Sequence, residues 1–237
     1  MPPATDSIRA FLDYLSHEAA ASPLTIETYQ SDLRSFTAYA EERLGEPFVP
    51  SEGDLDLVRG WLSVKLDEGL KASTVGRCLT SVRSFYRHLL KTGQIKRNPI
   101  QALRPPKAAR PLPVYVPTED MEQMLSEEVD PTDWRAVRDH LILTMLYECG
   151  LRRSEIAGLR DQAVDTTERQ LKVLGKGRKE RIVPFGKGLA EEIEAWRHLR
   201  TSIFGTTESF FVSSKGTPMA PRAVYQVAHA ALATVPN

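Results

Sequence analysis

The 237-residue chain carries 31 Lys and Arg against 31 Asp and Glu, a formal net charge of zero, with 41% hydrophobic and 26% charged residues. These proportions are those of a soluble globular chain and exclude a disordered or membrane one. No apolar run approaches the roughly 18 residues of a membrane helix, and Met1-Pro2-Pro3-Ala4-Thr5-Asp6 lacks the basic and apolar segments of a signal peptide, so a cytoplasmic protein of two domains is expected.

Four helices are predicted over the first hundred residues. Ile8, Phe11, Leu12 and Leu15 recur at one-face spacing and give a helix over 5–20. Ser22 before Pro23 has the pattern of an N-cap and first helical position, opening a second helix through Tyr29, Leu33 and Phe36 to Arg43. Leu57, Val58, Trp61, Leu62 and Leu66 mark a third over 54–68, and a fourth runs over 73–92 until Gly93 stops it.

At 100° per residue the fourth helix has two faces. Val75, Leu79, Val82, Phe85, Tyr86, Leu89 and Leu90 fall on a packing arc, and Arg77, Thr80, Arg83, Ser84, Arg87 and Lys91 on the opposite one. Between Lys71 and Arg110 there are ten Lys or Arg and no Asp or Glu. A solvated exterior would intersperse acids among those bases; a one-signed stretch in a neutral chain points to a polyanion, and Lys71, Arg77, Arg83, Arg87 and Lys91 are the candidate phosphate contacts. Six prolines in residues 98–117 exclude a helix there and predict an extended linker.

Thr118 is expected to cap a helix whose first turns are acidic (Glu119, Asp120, Glu122), and a longer helix over 134–148 carries Val137, Leu141, Ile142, Met145 and Leu146. It leads into Gly150-Leu151-Arg152-Arg153-Ser154-Glu155 and a short helix ending near Leu159. Residues 171–174 and 181–185 read as paired strands around the basic turn Gly175-Lys176-Gly177-Arg178-Lys179-Glu180-Arg181. A helix over 191–200, a short apolar run at Phe210-Phe211-Val212 and a last helix over 221–234 complete the chain. Cys78 and Cys149 both lie in helical pattern, where reduced buried thiols are expected; no metal site and no cofactor is indicated.

Several of these residues form one pattern. Ser22, Thr25, Tyr29, Asp32, Leu33 and Phe36, then Asn98-Pro99, Pro106-Lys107 and Leu112-Pro113, then Gly150-Leu151-Arg152 with Glu155 and Leu159, and lastly Lys176 resemble, in order and spacing, the tyrosine recombinases of the Xer type. The resemblance covers nearly the whole chain. It implies a mainly α fold with a small antiparallel β-sheet: a four-helix, SAM-like DNA-clamping domain over 1–103, a linker over 104–117 and an α+β catalytic domain over 118–237, C-terminally incomplete.

It also implies a chemistry. In this family a tyrosine attacks a DNA phosphodiester, forms a 3′-phosphotyrosyl link and expels a 5′-hydroxyl, without metal or nucleotide. Arg152 would meet charge on the nonbridging oxygens, Lys176 would protonate the leaving oxygen, and Glu155 would orient its neighbours. Arg153 stands where the family usually has an apolar or small residue, and with Arg178 and Lys179 it is a candidate DNA contact. The implied partner is double-stranded DNA bound at paired sites by a homo- or hetero-tetramer, and the implied role is site-specific recombination, most simply chromosome dimer resolution. A mobile-element integrase and a non-catalytic DNA-binding derivative are the alternatives.

The family's His-x-x-Arg box, a further His or Trp, and its tyrosine have no counterpart here. His229 is followed three residues on by Leu232 and His140 by Leu143, and Tyr14, Tyr29, Tyr39, Tyr86, Tyr115, Tyr147 and Tyr225 all precede the place of the nucleophile. The chain is therefore expected to stop short of the second arginine, to bind DNA without cleaving it, and to be monomeric off DNA.

Overall fold

Apolar spacing of three and four becomes four packed helices in the first unit of the structure, a computed structural model that describes residues 4–107, 115–175 and 180–234. They are α1 (Ala4–His17), α2 (Pro23–Leu44), α3 (Leu55–Asp67) and α4 (Ala72–Lys91). Helix α1 ends three residues before its predicted limit, and Ala20 just beyond it has φ of 47°. Ser22 caps α2 as predicted, its Oγ accepting from the Thr25 amide at 3.2 Å, and Gly45 ends the helix at a φ of 76° that suits glycine. The Asp54 carboxylate caps α3 by accepting from the Leu57 amide at 2.7 Å.

Between these helices lie Phe11, Phe36, Trp61, Leu79, Phe85 and Leu89, each essentially without solvent exposure. Burial of side chains of this size contributes roughly 1.5–3 kcal/mol apiece. Two residues depart from their predicted arcs: Leu66 and Leu90 are exposed.

The chain divides into two compact units, Met1–Leu112 and Pro113–Asn237. The second contains α5 (Thr118–Ser126), α6 (Trp134–Glu148), α7 (Arg153–Ala157), α8 (Lys187–Phe204) and α9 (Pro221–Leu232), with strands β1 (Val164–Asp165), β2 (Gln170–Leu174) and β3 (Glu180–Pro184). Thr118 is not a cap: Pro117 holds that position and Thr118 is the first helical residue. Helix α8 begins four residues earlier and ends four later than the sequence pattern suggested. Gly186 at its cap and Gly188 in its first turn disguise the start, while Leu189, Ile193 and Trp196 show the buried face that defines it.

The sheet is antiparallel in the order β1-β2-β3. In the β2–β3 register Leu171 faces Val183 and Val173 faces Arg181, so an arginine shares the inward face with three apolar residues. The Phe210–Val212 run is flanked by single bridges, Arg160 to Ser209 and Val212 to Pro218, and is fully buried. The Trp196 indole N–H donates to the Phe210 carbonyl at 2.9 Å, tying this run to α8. The protein is thus mainly helical with one small three-stranded sheet. Among the described residues no helix is long and apolar enough to cross a membrane.

Candidate functional site

The most heavily bonded carboxylate of the second unit is built by a turn, a short helix and a strand. Helix α6 ends at Cys149, and Gly150 turns the chain at a φ of 57°. Leu151 is buried beneath this turn, which leaves Arg152 at the N-cap of α7. Glu155, in the first turn of α7, folds back so that its Oε2 accepts from the Arg152 backbone N–H at 2.8 Å, satisfying an amide that the helix itself cannot. Its Oε1 accepts from Nη1 of Arg152 at 2.9 Å.

A second guanidinium completes the arrangement. Arg181, on the inward face of β3, donates from Nη1 to Oε1 of Glu155 at 2.6 Å and from Nη2 to Oε2 at 2.9 Å, a two-pronged fork. The Glu155 side chain is only 3% exposed, whereas that of Arg152 is 66% exposed. Hydrogen bonds from Arg181, then from the Arg152 amide and guanidinium, outweigh burial and hold the Glu155 carboxyl down at about 2. Glu155 is thus a permanent anion at neutral pH, and its cationic neighbour Arg152 is anchored on one side and open on the other.

Arg153 is also exposed, and its guanidinium lies 6.0 Å from the centroid of the Tyr225 ring. With Arg222 and Gln226 of α9, these two side chains line an open pocket. Lys176, Arg178 and Lys179 fall outside the described residues.

The cationic side of α4 is divided by the structure. Arg83 and Arg87 line an open cleft with Leu90, Asn98 and Gln101. Lys71, just before the helix, is exposed, and the Lys91 ammonium lies 4.9 Å above the Tyr14 ring. Arg77 differs from these: it forks onto the buried Asp32 at 2.5 and 3.1 Å, and Ser81 donates to the same carboxylate at 2.5 Å. That ion pair ties α4 to α2, which makes the Arg77 charge a structural one as well as a cationic surface group.

Arg181 was not among the candidate residues read from the sequence. One signal bears on it: at a strand's period of two Arg181 shares a face with Val183, and an arginine at an inward position needs an acidic partner. Among the described residues no cluster of His, Cys, Asp or Glu is placed to hold a metal ion.

Residues 115–235 match the phage integrase family, and residues 8–93 match the phage integrase N-terminal SAM-like domain. The chain is 34% identical over 231 residues to tyrosine recombinase XerC of Pelobacter propionicus, an alignment covering 97% of this chain and 75% of that protein. To tyrosine recombinase XerC of Escherichia coli it is 33% identical over 217 residues, covering 92% and 72%. Among solved structures, a lambda integrase dimer bound to a COC' core site is similar with a TM-score of 0.67 at 15% identity, covering 100% of this chain and 65% of that one. XerH bound to palindromic difH substrate, in a post-cleavage complex, is similar with a TM-score of 0.66 at 19% identity, covering 92% and 66%. These last two are likenesses of fold.

Proposed function

The chain belongs to the phage integrase family of tyrosine recombinases, and from that premise we propose that it serves site-specific recombination of double-stranded DNA, with residues 1–103 clamping the duplex, residues 104–117 linking, and residues from 118 onward forming the chemical site. The observation that carries this reading is the exposed Arg152 guanidinium held by the buried Glu155 carboxylate. Surface cations suffice to grip a phosphate backbone; a cation fixed in orientation by a buried anion and open on its other side also suits charge that develops in a transition state.

In the proposed reaction a tyrosine oxygen attacks a backbone phosphorus and the 5′ oxygen leaves. Negative charge grows on the nonbridging oxygens, and the open N–H groups of Arg152 meet it without reorganising, because Glu155 already fixes the guanidinium. Lys176 protonates the departing oxygen. A tyrosine and a His-x-x-Arg arginine are required beyond these groups. The seven tyrosines of this sequence lie in or before α9, and no histidine in it begins a His-x-x-Arg spacing. The 237 residues are therefore proposed as part of a longer recombinase: alone they bind duplex DNA without cutting it, and the complete protein works as a tetramer on paired sites.

The test is made with a nicked suicide duplex. The 237-residue chain is expected to shift the duplex in a mobility assay and to form no covalent adduct; an adduct would overturn the proposed division of the chemistry. In a longer form that carries the tyrosine, Arg152→Ala and Lys176→Ala are each expected to leave affinity nearly intact and to cut cleavage by at least about 10²-fold, as for groups that act in the transition state. Equal losses of binding and cleavage would count against both roles. The cellular role proposed is resolution of chromosome dimers. Loss of the gene is then expected to trap dimers at division, and parental division would leave mobile-element integration as the role.

A further inference from the structure

Three features take no part in the proposed chemistry: the cleft beside Arg83 and Arg87, the pocket of Arg153 and Tyr225, and the Arg181 fork. The first two are cationic surface of the kind that any DNA-binding reading already includes. The third is different, because it is a part-exposed arginine that grips the buried carboxylate holding the proposed phosphate-binding arginine.

We propose that Arg181 is a positioning residue for the recombination chemistry, locking Glu155 so that Glu155 in turn presents Arg152 to the scissile phosphate. This rests on the reading of Arg152 given above. The geometry supports it at each step. Arg181 spans both oxygens of Glu155, at 2.6 and 2.9 Å, which fixes the plane of the carboxylate as well as its place. The same two oxygens then have one partner each on Arg152, Oε2 the backbone N–H and Oε1 the guanidinium. A carboxylate free to rotate could serve the backbone or the side chain of Arg152; one clamped in plane serves both at once.

Charge supports the same role. A lone Glu155–Arg152 pair would be neutral, and a neutral pair attracts phosphate weakly. Arg181 adds a second positive charge, so the three-group cluster carries a net positive charge; at 37% exposure against 66%, it is the more covered of the two arginines, and Arg152 is the more open. Lysine in place of arginine would keep that charge but lose the fork, because an ammonium cannot span a carboxylate in one plane. The requirement for arginine thus separates positioning from simple neutralisation.

The experiment is performed on the 237-residue chain by nitrogen-15 NMR of arginine Nε–H groups, at a pH near 6 where they exchange slowly, with a mixed-sequence duplex as the probe. In the parent chain the Arg152 Nε–H is expected to be ordered and to shift on adding duplex. In Arg181→Gln and in Arg181→Lys its squared order parameter is expected to fall by at least about a third, from the rigid toward the flexible range, and its duplex-induced shift to shrink at least about twofold. Backbone spectra of residues elsewhere in the second unit are expected to stay in place, which a merely structural role would not predict.

An Arg152 signal in the parent chain that ignores duplex DNA overturns the reading of Arg152, and the role of Arg181 with it. A responsive Arg152 whose order and response survive both substitutions overturns the role of Arg181 alone. Full retention in Arg181→Lys reduces Arg181 to a neutralising charge and overturns the positioning role as stated. Should Arg181→Gln fail to fold, the lysine variant and the parent chain still decide, since an Arg152 side chain already mobile in the parent is incompatible with a lock.

Discussion

Two side chains of opposite character make pH an informative variable for this protein. The Glu155 carboxyl is held down at about 2 by its guanidinium partners, against an ordinary value of 4.5. Its folded value lies below its unfolded one, so its contribution to stability is fully present above about 4.5 and is lost as the pH falls toward about 2. Glu155→Gln is expected to flatten that acid limb and to cost on the order of 2 kcal/mol at neutral pH, because the amide turns one accepting oxygen into a donor that faces a guanidinium. Thermal melts between pH 2 and 7 check both effects. His88 shows the same sign by a different cause. It is buried against Phe11 and Tyr14, with ring centroids 5.4 and 4.8 Å away, and its Nδ1 has no partner among the described residues. Burial, and then the Lys91 charge, lower its pKa against a small opposing pull from Glu18. The neutral ring is the folded form, so stability is full above an unfolded value near 6.5 and declines as the pH falls below it. His88→Phe is expected to remove this decline, and a melting profile that keeps it would assign the decline to another group.

Helix α4 shows why charges of one sign on one helix face need not do one job. Arg83 and Arg87 line an open cleft, whereas Arg77 is bound to the buried Asp32. Arg83→Ala with Arg87→Ala is therefore expected to weaken duplex binding and to flatten its logarithmic salt dependence by roughly two units, about one for each phosphate that is no longer neutralised. An unchanged slope would make that cleft ordinary surface. Arg77→Ala is expected to act on stability first, lowering it by about 1–2 kcal/mol, since it removes the charged partner of a buried carboxylate and leaves Ser81 as its donor; chemical denaturation measures this. The same helix marks the limit of what the sequence reveals. Its buried face was legible because packing imposes a period on neighbouring residues, and so was the cap at Ser22, which acts over three residues. The partner of Arg77 lies 45 residues away and that of Arg181 lies 26 away. No local rule selects such partners, so the chain could show that a cation was present but not which anion held it. Strand β1 escaped notice for a simpler reason: two residues are too few to show alternation.

At the scale of the whole chain, a net charge of zero conceals an uneven distribution. The stretch from Lys71 to Arg110 holds only bases, while Thr118 to Asp133 holds Glu119, Asp120, Glu122, Glu127, Glu128, Asp130 and Asp133 and no base. Affinity for a polyanion follows the local field and not the total, so salt-sensitive DNA binding is compatible with neutrality. The two buried clusters are likewise separate: one runs from Ala4 to Leu103 and the other from Leu141 to Val224, with no residue in common. A unit whose apolar side chains bury against one another needs no outside surface to fold. Residues 1–107 expressed alone are therefore expected to unfold in one cooperative transition, to keep the acid-side decline assigned to His88, and to bind duplex DNA with a salt dependence carried by Arg83 and Arg87. Affinity is expected to fall relative to the full chain, because the cations of the second unit are gone. Circular dichroism melts and fluorescence anisotropy at several salt concentrations measure all three. A non-cooperative melt would show that the first core depends on the second, and a cooperative melt without salt-sensitive binding would move the DNA-clamping role away from α4.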